Sequence, residues 1–531
     1  MTDKKIRSRF APSPTGYLHI GGLRTALYAY LFARKNGGDF LLRIEDTDRE
    51  RLVDGAIENF INILRHTGID FDAGPGKEDE FGPYIQSERV GRHKELAHQL
   101  VEEGKAYKCF CTSERLEKVR EEQMLLKQAP MYDRHCRYLS EKEVQENIDT
   151  GHSYVIRQAI PLNERVQFTD AIRGKLNFDT NTLDDHVLFK SDGFPTYHLA
   201  AIADDHDMQI THIIRGEEWL PSAPKHVLLF QAFGWEVPEY AHLPLILNKD
   251  RTKLSKRQND VSTESYLEKG YTKEALINFI AMLGWAPSDN REIFSLKELE
   301  ENFDLSRVQK SGAIFDSEKL NWFNWQWKRR QYLENLETIA KELDPDVEIE
   351  TLKKGELKFN FKNVLSQEQF TLKRGDLLTE FAKNHLTPEL LKEKENDALF
   401  FAKAIITIEE KVLKEPENTT ENIHFYFKDS YKYNTEFFLN EKMGIDKDLA
   451  LKVLTQALEF VTEDDFENEN ILKQKFVQLI EKMELKNGQV LWPTRVALTN
   501  EEYSPGVWEL GIAYGYGKFV DRLQNAITAL S

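Results

Sequence analysis

RFAPSPTGYLHIGG, Arg9 to Gly22, decides how the first part of this chain folds. Ile6 to Ala11 reads as a strand closed by Pro12 and Pro14, because proline lacks the N–H that a ladder needs. A turn through Thr15 and Gly16 leads to His19-Ile20-Gly21-Gly22, which runs into a helix over Leu23 to Arg34, with Leu23, Leu27, Tyr30 and Leu31 at helical spacing. Strand, glycine-bearing loop and helix N-terminus together form an arrangement that holds phosphate. Backbone N–H groups and the helix dipole face the anion, and glycines let it approach. His19 stands on the lip of that cradle, where an imidazole can hydrogen-bond a phosphoryl oxygen. Alone, the same stretch also fits an ordinary strand–helix turn.

Gly37-Gly38 ends the helix and Phe40 to Ile44 reads as a second strand. Strand–helix–strand in this order gives a right-handed parallel crossover, and a doubly wound sheet puts its ligand at the carboxyl ends of its strands. Arg9, Ser13, His19 and Glu45 all fall at such ends or in the adjoining loop. Within Glu45-Asp46-Thr47-Asp48, Glu45 is expected at the ligand. Asp46 and Asp48 are expected to be structural, Asp48 as the N-cap of a helix running through Leu64.

The whole chain sets wider bounds. Its 531 residues suggest two to four domains. It has no run of about eighteen apolar residues and no apolar segment after the charged MTDKKIRSRF, so neither a membrane span nor a secretory signal is expected. Three cysteines are too few for a disulfide framework, which points to a reducing, cytoplasmic setting. A net charge of −18 argues against general nucleic-acid affinity, although local basic surface suffices for one RNA.

Further along, Arg251-Thr252-Lys253-Leu254-Ser255-Lys256-Arg257 packs four cations into seven residues. By itself it would be a solvated loop. Together with His19-Ile20-Gly21-Gly22 it resembles the HIGH and KMSKS signatures of class I aminoacyl-tRNA synthetases. The flanks LLRIEDTD (Leu41 to Asp48), IIRGEEW (Ile213 to Trp219) and KLSKR (Lys253 to Arg257) narrow the resemblance to bacterial-type glutamyl-tRNA synthetases. It is dense over residues 6–325 and weaker beyond. Gly22 stands where the signature has its second histidine, a departure common in the glutamate-specific branch.

The resemblance implies an α/β, doubly wound parallel sheet with an α+β insertion and an all-α anticodon-binding domain. The expected order is 1–110 and 201–260 as the two catalytic halves, 111–200 as an insertion at the acceptor end of tRNA, 261–330 as a stem-contact region, and 331–531 as the helical domain. The implied reaction is ATP-dependent activation of L-glutamate and its transfer to tRNA(Glu), by a monomer, with Mg²⁺ on the ATP. The alternatives are a non-catalytic tRNA-binding paralogue and an enzyme that also charges tRNA(Gln). By the same resemblance, His19 and Lys256 are catalytic. Glutamate would be held by Arg9, Ala11, Ser13, Glu45, Tyr197 and Arg215, with Arg215 reading the side-chain carboxylate. ATP would be held by His19, Gly21, Gly22, Glu218, Lys253, Leu254, Ser255, Lys256 and Arg257.

Residue chemistry supports parts of this independently. Arg215 ends the apolar run Ile210 to Arg215 beside Gly216, and a guanidinium matches a carboxylate bidentately where lysine does not, although by itself an arginine there more often forms a surface ion pair. Cys109, Cys111 and Cys136 fall in one segment, in a Cys-x-Cys and distant-Cys pattern that suits tetrahedral zinc. Three buried reduced thiols are the plainer reading. The resemblance adds a fourth ligand, Tyr132 or Tyr138, with His135 adjacent. Ser153 to Ile160 and Arg165 to Ile172 alternate like strands, Asp192-Gly193 signals a hairpin, and Tyr197 to Asp207 reads as a helix. Thr272 reads as the N-cap of a helix over Lys273 to Leu283, ended by Gly284 and Pro287. Trp322, Trp325 and Trp327 before Lys328-Arg329-Arg330 read as interdomain packing. Beyond 331, Leu449, Val453, Leu454, Ala457, Leu458 and Val461 share a helical face, as do Ile471, Leu472, Phe476, Leu479, Ile480 and Met483.

Overall fold

The computed structural model describes residues 4–254, 262–352 and 355–531. The chain divides into two compact units, residues 1–324 and 325–531. The division falls inside one long helix, Ser317–Leu343.

The first unit is built on a six-stranded sheet. Its strands are β1 (Arg7–Phe10), β2 (Asp39–Leu42), β5 (Arg165–Asp170), β6 (Gly174–Asp179), β8 (His212–Gly216) and β9 (Glu239–Leu243), in the spatial order β2-β1-β8-β9-β5-β6. A second sheet holds β3 (Ala106–Cys109), β4 (Val155–Gln158) and β7 (Val187–Phe189), antiparallel in the order β3-β4-β7. In the main sheet β1 pairs parallel with β2 and with β8, and β9 pairs parallel with β8 and β5; only β5 and β6 run antiparallel. β1 therefore has its sequence successor on one side and a distant strand on the other. Such a switch of strand order opens a crevice at the carboxyl ends.

β1 is buried at every residue, as a parallel strand covered on both faces should be. Helix α1 (Ile20–Lys35) packs its apolar positions Leu23, Leu27 and Leu31 onto the sheet with no solvent exposure. The loop after β1 is tied to the chain after β2: the Arg43 N–H donates to the Phe10 carbonyl and the Glu45 N–H to the Pro12 carbonyl, both at 3.0 Å. Two prolines remove donors from that loop, but their carbonyls remain and hold it.

Three expectations need correction. Asp48 caps no α-helix: it precedes only the 3-10 turn Arg49–Arg51, its side chain accepts from Arg51 Nε at 2.7 Å, and the next α-helix is Ala56–His66, with Gly55 at its N-cap. A local ion pair outcompetes the cap. The 111–200 segment is not wholly apart from the main sheet, because the β5–β6 hairpin extends it through the register Asp170↔Tyr240. Third, the second unit is helical but not purely so, since Glu348–Thr351 and Leu357–Asn360 pair as an antiparallel ladder. Phe359 there lies 4.7 Å, ring to ring, from Phe370, so even a short hairpin finds apolar cover.

Elsewhere the second unit follows the helical faces read from sequence. Val453, Leu454 and Ala457 of helix Lys447–Phe460 are buried in one core with Leu472, Phe476 and Leu479 of helix Glu469–Met483. The last segment forms helices Asn487–Thr499 and Val507–Leu530. Among the described residues no helix is long and apolar enough to cross a membrane.

Candidate active site

A cavity of about 550 Å³ opens at the carboxyl ends of β1 and β8. Arg9, Ala11, Ser13, Glu45, Tyr197 and Arg215 line one part of it. His19, Gly21, Gly22, Glu218, Lys253 and Leu254 also line it. Ser255, Lys256 and Arg257 lie outside the described residues. Their flanks do not: the Leu254 N–H donates to the Ile246 carbonyl at 2.9 Å, and Ser262 forms a bridge with His19.

His19 is the N-cap of α1, in extended conformation, and its Nδ1 accepts from the Gly22 N–H at 3.2 Å. One of the N–H groups expected to face an anion is thus already satisfied. In return the imidazole is fixed: with Nδ1 accepting, the neutral ring carries its proton on Nε2, which makes it a donor. Gly22 has little room for a second imidazole, since a Cβ there would meet Leu18 Cδ1 at 3.0 Å.

Two of the arginines that line the cavity, Arg9 and Arg215, differ in their partners. Arg9, 4% exposed, forks onto Asp205, with Nε to Oδ1 at 2.9 Å and Nη2 to Oδ2 at 3.2 Å. Arg43 joins the same carboxylate at 2.7 Å and reaches Glu45 Oε1 at 2.9 Å. Two buried cations and two buried anions balance, as desolvated charges must. Burial pushes the Asp205 carboxyl up, but Arg43 and Arg9 outweigh it and hold it below the usual carboxylate range. Glu45 goes the other way, raised by burial against the pull of Arg43.

Arg215 is 6% exposed. It donates from Nε to His242 Nε2 at 3.1 Å, from Nη1 to the Tyr197 hydroxyl at 3.0 Å and to His226 Nδ1 at 3.4 Å, and from Nη2 to the Trp219 carbonyl at 3.3 Å. Among the described residues it forms no ion pair. Tyr197 therefore stands beside Arg215. The Trp219 ring covers Tyr197 at 4.5 Å between centroids. Gly216 leaves room for the Glu218 carboxylate, which a Cβ there would meet at 2.2 Å.

His226 and His242 carry no motif of their own, and the sequence reading passed over them, while Trp219 closes the IIRGEEW stretch without a role assigned to it. A weak signal was present for His242, which shares one strand face with Tyr240 in YAHL. Asp46 is structural as expected, accepting from the Ser87 N–H at 2.7 Å and from its hydroxyl at 2.6 Å.

The cysteines form a second centre at the end of β3. The Sγ atoms of Cys109, Cys111 and Cys136 lie within 4.8 Å of one another. The Tyr132 hydroxyl is 3.3 Å from Cys109 Sγ and 3.4 Å from Cys111 Sγ. Tyr138, the other candidate, is 72% exposed, so the fourth donor beside the thiols is Tyr132. The hydrogen bond from Cys136 holds the Cys109 thiol well below its ordinary value despite burial, toward the thiolate that a metal takes. Three soft donors and a phenol this close fit a tetrahedral zinc ion.

Comparison with known proteins agrees with this geometry. Residues 5–322 match the family described as tRNA synthetases class I (E and Q), catalytic domain, and residues 377–527 match an anticodon binding domain. The chain belongs to the class I tRNA synthetases. Its relatives specify the branch: glutamate–tRNA ligases of Clostridium botulinum and Chloroherpeton thalassium are 43% and 42% identical to it. The first alignment covers 100% of both chains, the second 100% of this chain and 99% of the relative. A crystal structure of a glutamate tRNA ligase from Elizabethkingia meningosepticum, in complex with its amino acid, superposes with a TM-score of 0.75 at 36% identity, over 99% of this chain and 100% of that one.

Proposed function

We infer that this chain is a glutamate–tRNA ligase that activates L-glutamate with ATP and transfers it to tRNA(Glu). One observation carries the reading of the site. The buried guanidinium of Arg215, at the carboxyl end of β8 and in no ion pair among the described residues, shares a cavity with the capped helix start at His19. Arg215 and Tyr197 receive the side-chain carboxylate of glutamate. Glu45 receives the α-ammonium, and Arg9, Ala11 and Ser13 shape the α-carboxyl end. Glutamine would leave the Arg215 charge uncompensated in a desolvated site, which costs more than a methylene contact recovers.

In the first step a glutamate carboxylate oxygen attacks the α-phosphorus of ATP, and pyrophosphate leaves. In the second, the terminal ribose 2′-hydroxyl of the tRNA attacks the acyl carbon, and AMP leaves. Charge develops on phosphate oxygens, so positioned donors and cations stabilise the transition state more than any general acid. His19 Nε2–H and the α1 N-terminus act from one side. Lys256, with Lys253, Ser255 and Arg257, acts from the other, and Mg²⁺ comes with the triphosphate. Leu254 and Ser262, which flank residues 255–261 in the sequence, both lie at the site, which supports this role. Glu218 and Leu254 border the nucleotide. The cysteines and Tyr132 hold zinc as a structural brace for the insertion that meets the acceptor end of tRNA. Residues 331–531 read the anticodon.

ATP–pyrophosphate exchange tests the assignment. Exchange should depend on L-glutamate, with L-glutamine far poorer, in the presence of tRNA(Glu). An absence of glutamate-dependent exchange with tRNA present would remove the function.

A further inference from the structure

Arg215 is held from behind by a chain of neutral rings. Its Nε donates to His242 Nε2 at 3.1 Å, and His242 Nδ1 donates in turn to Asp170 Oδ2 at 2.6 Å. His242 and Asp170 have no solvent exposure at their side chains. On the other side His226 Nδ1 accepts from Arg215 Nη1, so its Nε2–H faces His198 Nδ1 at 2.9 Å. Each imidazole that touches the guanidinium therefore presents a lone pair, and the Asp170 carboxylate reaches it only through a ring. The β8–β9 register sets this up, since Arg215 lies opposite His242 in the parallel pair.

Buried arginines here are held in more than one way: Arg24, which also lines the cavity, donates to the Leu283 and Pro244 carbonyls, whereas two others pair with acids. Arg9 and Arg43 meet carboxylates directly, and a carboxylate placed directly on Arg215 would neutralise it. An imidazole fixes the planar fork without cancelling its charge, and Asp170 fixes the tautomer of the imidazole. The Arg215 Nε hydrogen and both Nη1 hydrogens are occupied, so an incoming carboxylate meets the remaining Nη2 hydrogen and the hydroxyl proton of Tyr197.

We propose that His242 and Asp170 are positioning residues for substrate specificity: they orient Arg215 while leaving its positive charge for the carboxylate of an acidic amino acid. This rests on the reading of Arg215 as the carboxylate receptor. Asp170 also accepts from the backbone N–H groups of Ile172, Arg173 and His242, so substitution there would disturb the strand ends; His242 is the cleaner probe.

The test is steady-state aminoacylation of tRNA(Glu) by the full chain, comparing His242→Leu, His242→Gln and Arg215→Ala. His242→Leu removes the acceptor and should raise KM for glutamate at least about tenfold, with KM for ATP within about twofold. His242→Gln should recover most of that loss. Its amide oxygen can accept from Arg215 Nε, and its NH₂ can donate to Asp170. Equal losses in the Leu and Gln variants, or parallel rises in KM for glutamate and ATP, would reduce His242 to packing and overturn the proposal. An unchanged glutamate KM in Arg215→Ala would instead overturn the reading beneath it. If His242→Leu fails to fold, nitrogen-15 NMR of the histidine-labelled wild type, assigned with the Gln variant, still decides. His242 should be the neutral Nδ1–H tautomer, and the Nε2–H tautomer would refute the arrangement.

Discussion

Arg9 and Arg215 are both buried at the same cavity, yet only Arg9 is neutralised by the protein itself. Desolvation is costly for both, and an arginine without a counter-charge is maintained where function requires one. Arg215→Ala should abolish glutamate use while ATP still binds. Arg215→Lys should raise glutamate KM about tenfold or more, because a point charge on a flexible stem cannot fork onto a carboxylate. Both are read by glutamate-dependent pyrophosphate exchange against ATP affinity. His19→Ala and Lys256→Ala should each slow adenylate formation on the order of 100-fold, the usual loss of one transition-state donor, with tRNA affinity unchanged. Equal loss of tRNA binding would deny them that role.

At the scale of elements, helices Tyr197–Asp207 and Ala223–Ala232 bring His198 and His226 together behind the site. Burial, then Lys225 and Arg215, push His198 down to about 4, and His226 and His186 also lie well below the usual histidine range. A histidine in the unfolded chain protonates near 6.5. Between that pH and about 4 the unfolded chain binds protons that the folded His198 refuses, so the fold weakens as pH falls through this window. Above about pH 6.5 the contribution is flat. The loss from His198 alone is on the order of 3 kcal/mol. Urea midpoints at pH 7 and 4.5 should differ less in His198→Gln than in wild type. The end of β3 supplies another element-scale prediction. Protein purified without chelators should carry one zinc ion per chain, by metal analysis, and Cys136→Ser should lose it and lower the melting temperature of the first unit. Zinc content near zero in wild type would remove the metal.

For the whole molecule, two units with separate cores should unfold as two calorimetric transitions. Leu27 and Phe476 are fully buried, one in each unit. Leu27→Ala should cost about 2–5 kcal/mol and Phe476→Ala about 3–5 kcal/mol, each moving a different transition. A single transition moved by both would mean one cooperative body. The net charge of −18 further predicts weak binding to unrelated RNA, falling with salt, beside specific binding of tRNA(Glu).

Much of this was legible in the chain itself. Pro12 and Pro14 end a strand and the apolar spacing after Gly22 makes a helix, because these are local rules of backbone and side chain. Arg9, His19, Glu45 and Arg215 stood out by residue type and by position at strand ends or in the adjoining loop, and they line one cavity. Other features were not legible. Asp48 favoured Arg51 over a cap, Tyr132 rather than Tyr138 joined the thiols, the β5–β6 hairpin extended the main sheet, and His242 came to lie opposite Arg215. Each of these depends on which distant segments pair and in what register. Sequence spacing fixes the conformation of a segment, but the partner of a strand edge or a buried polar group is chosen only when remote parts of the chain compete for the same hydrogen bonds and the same dry volume.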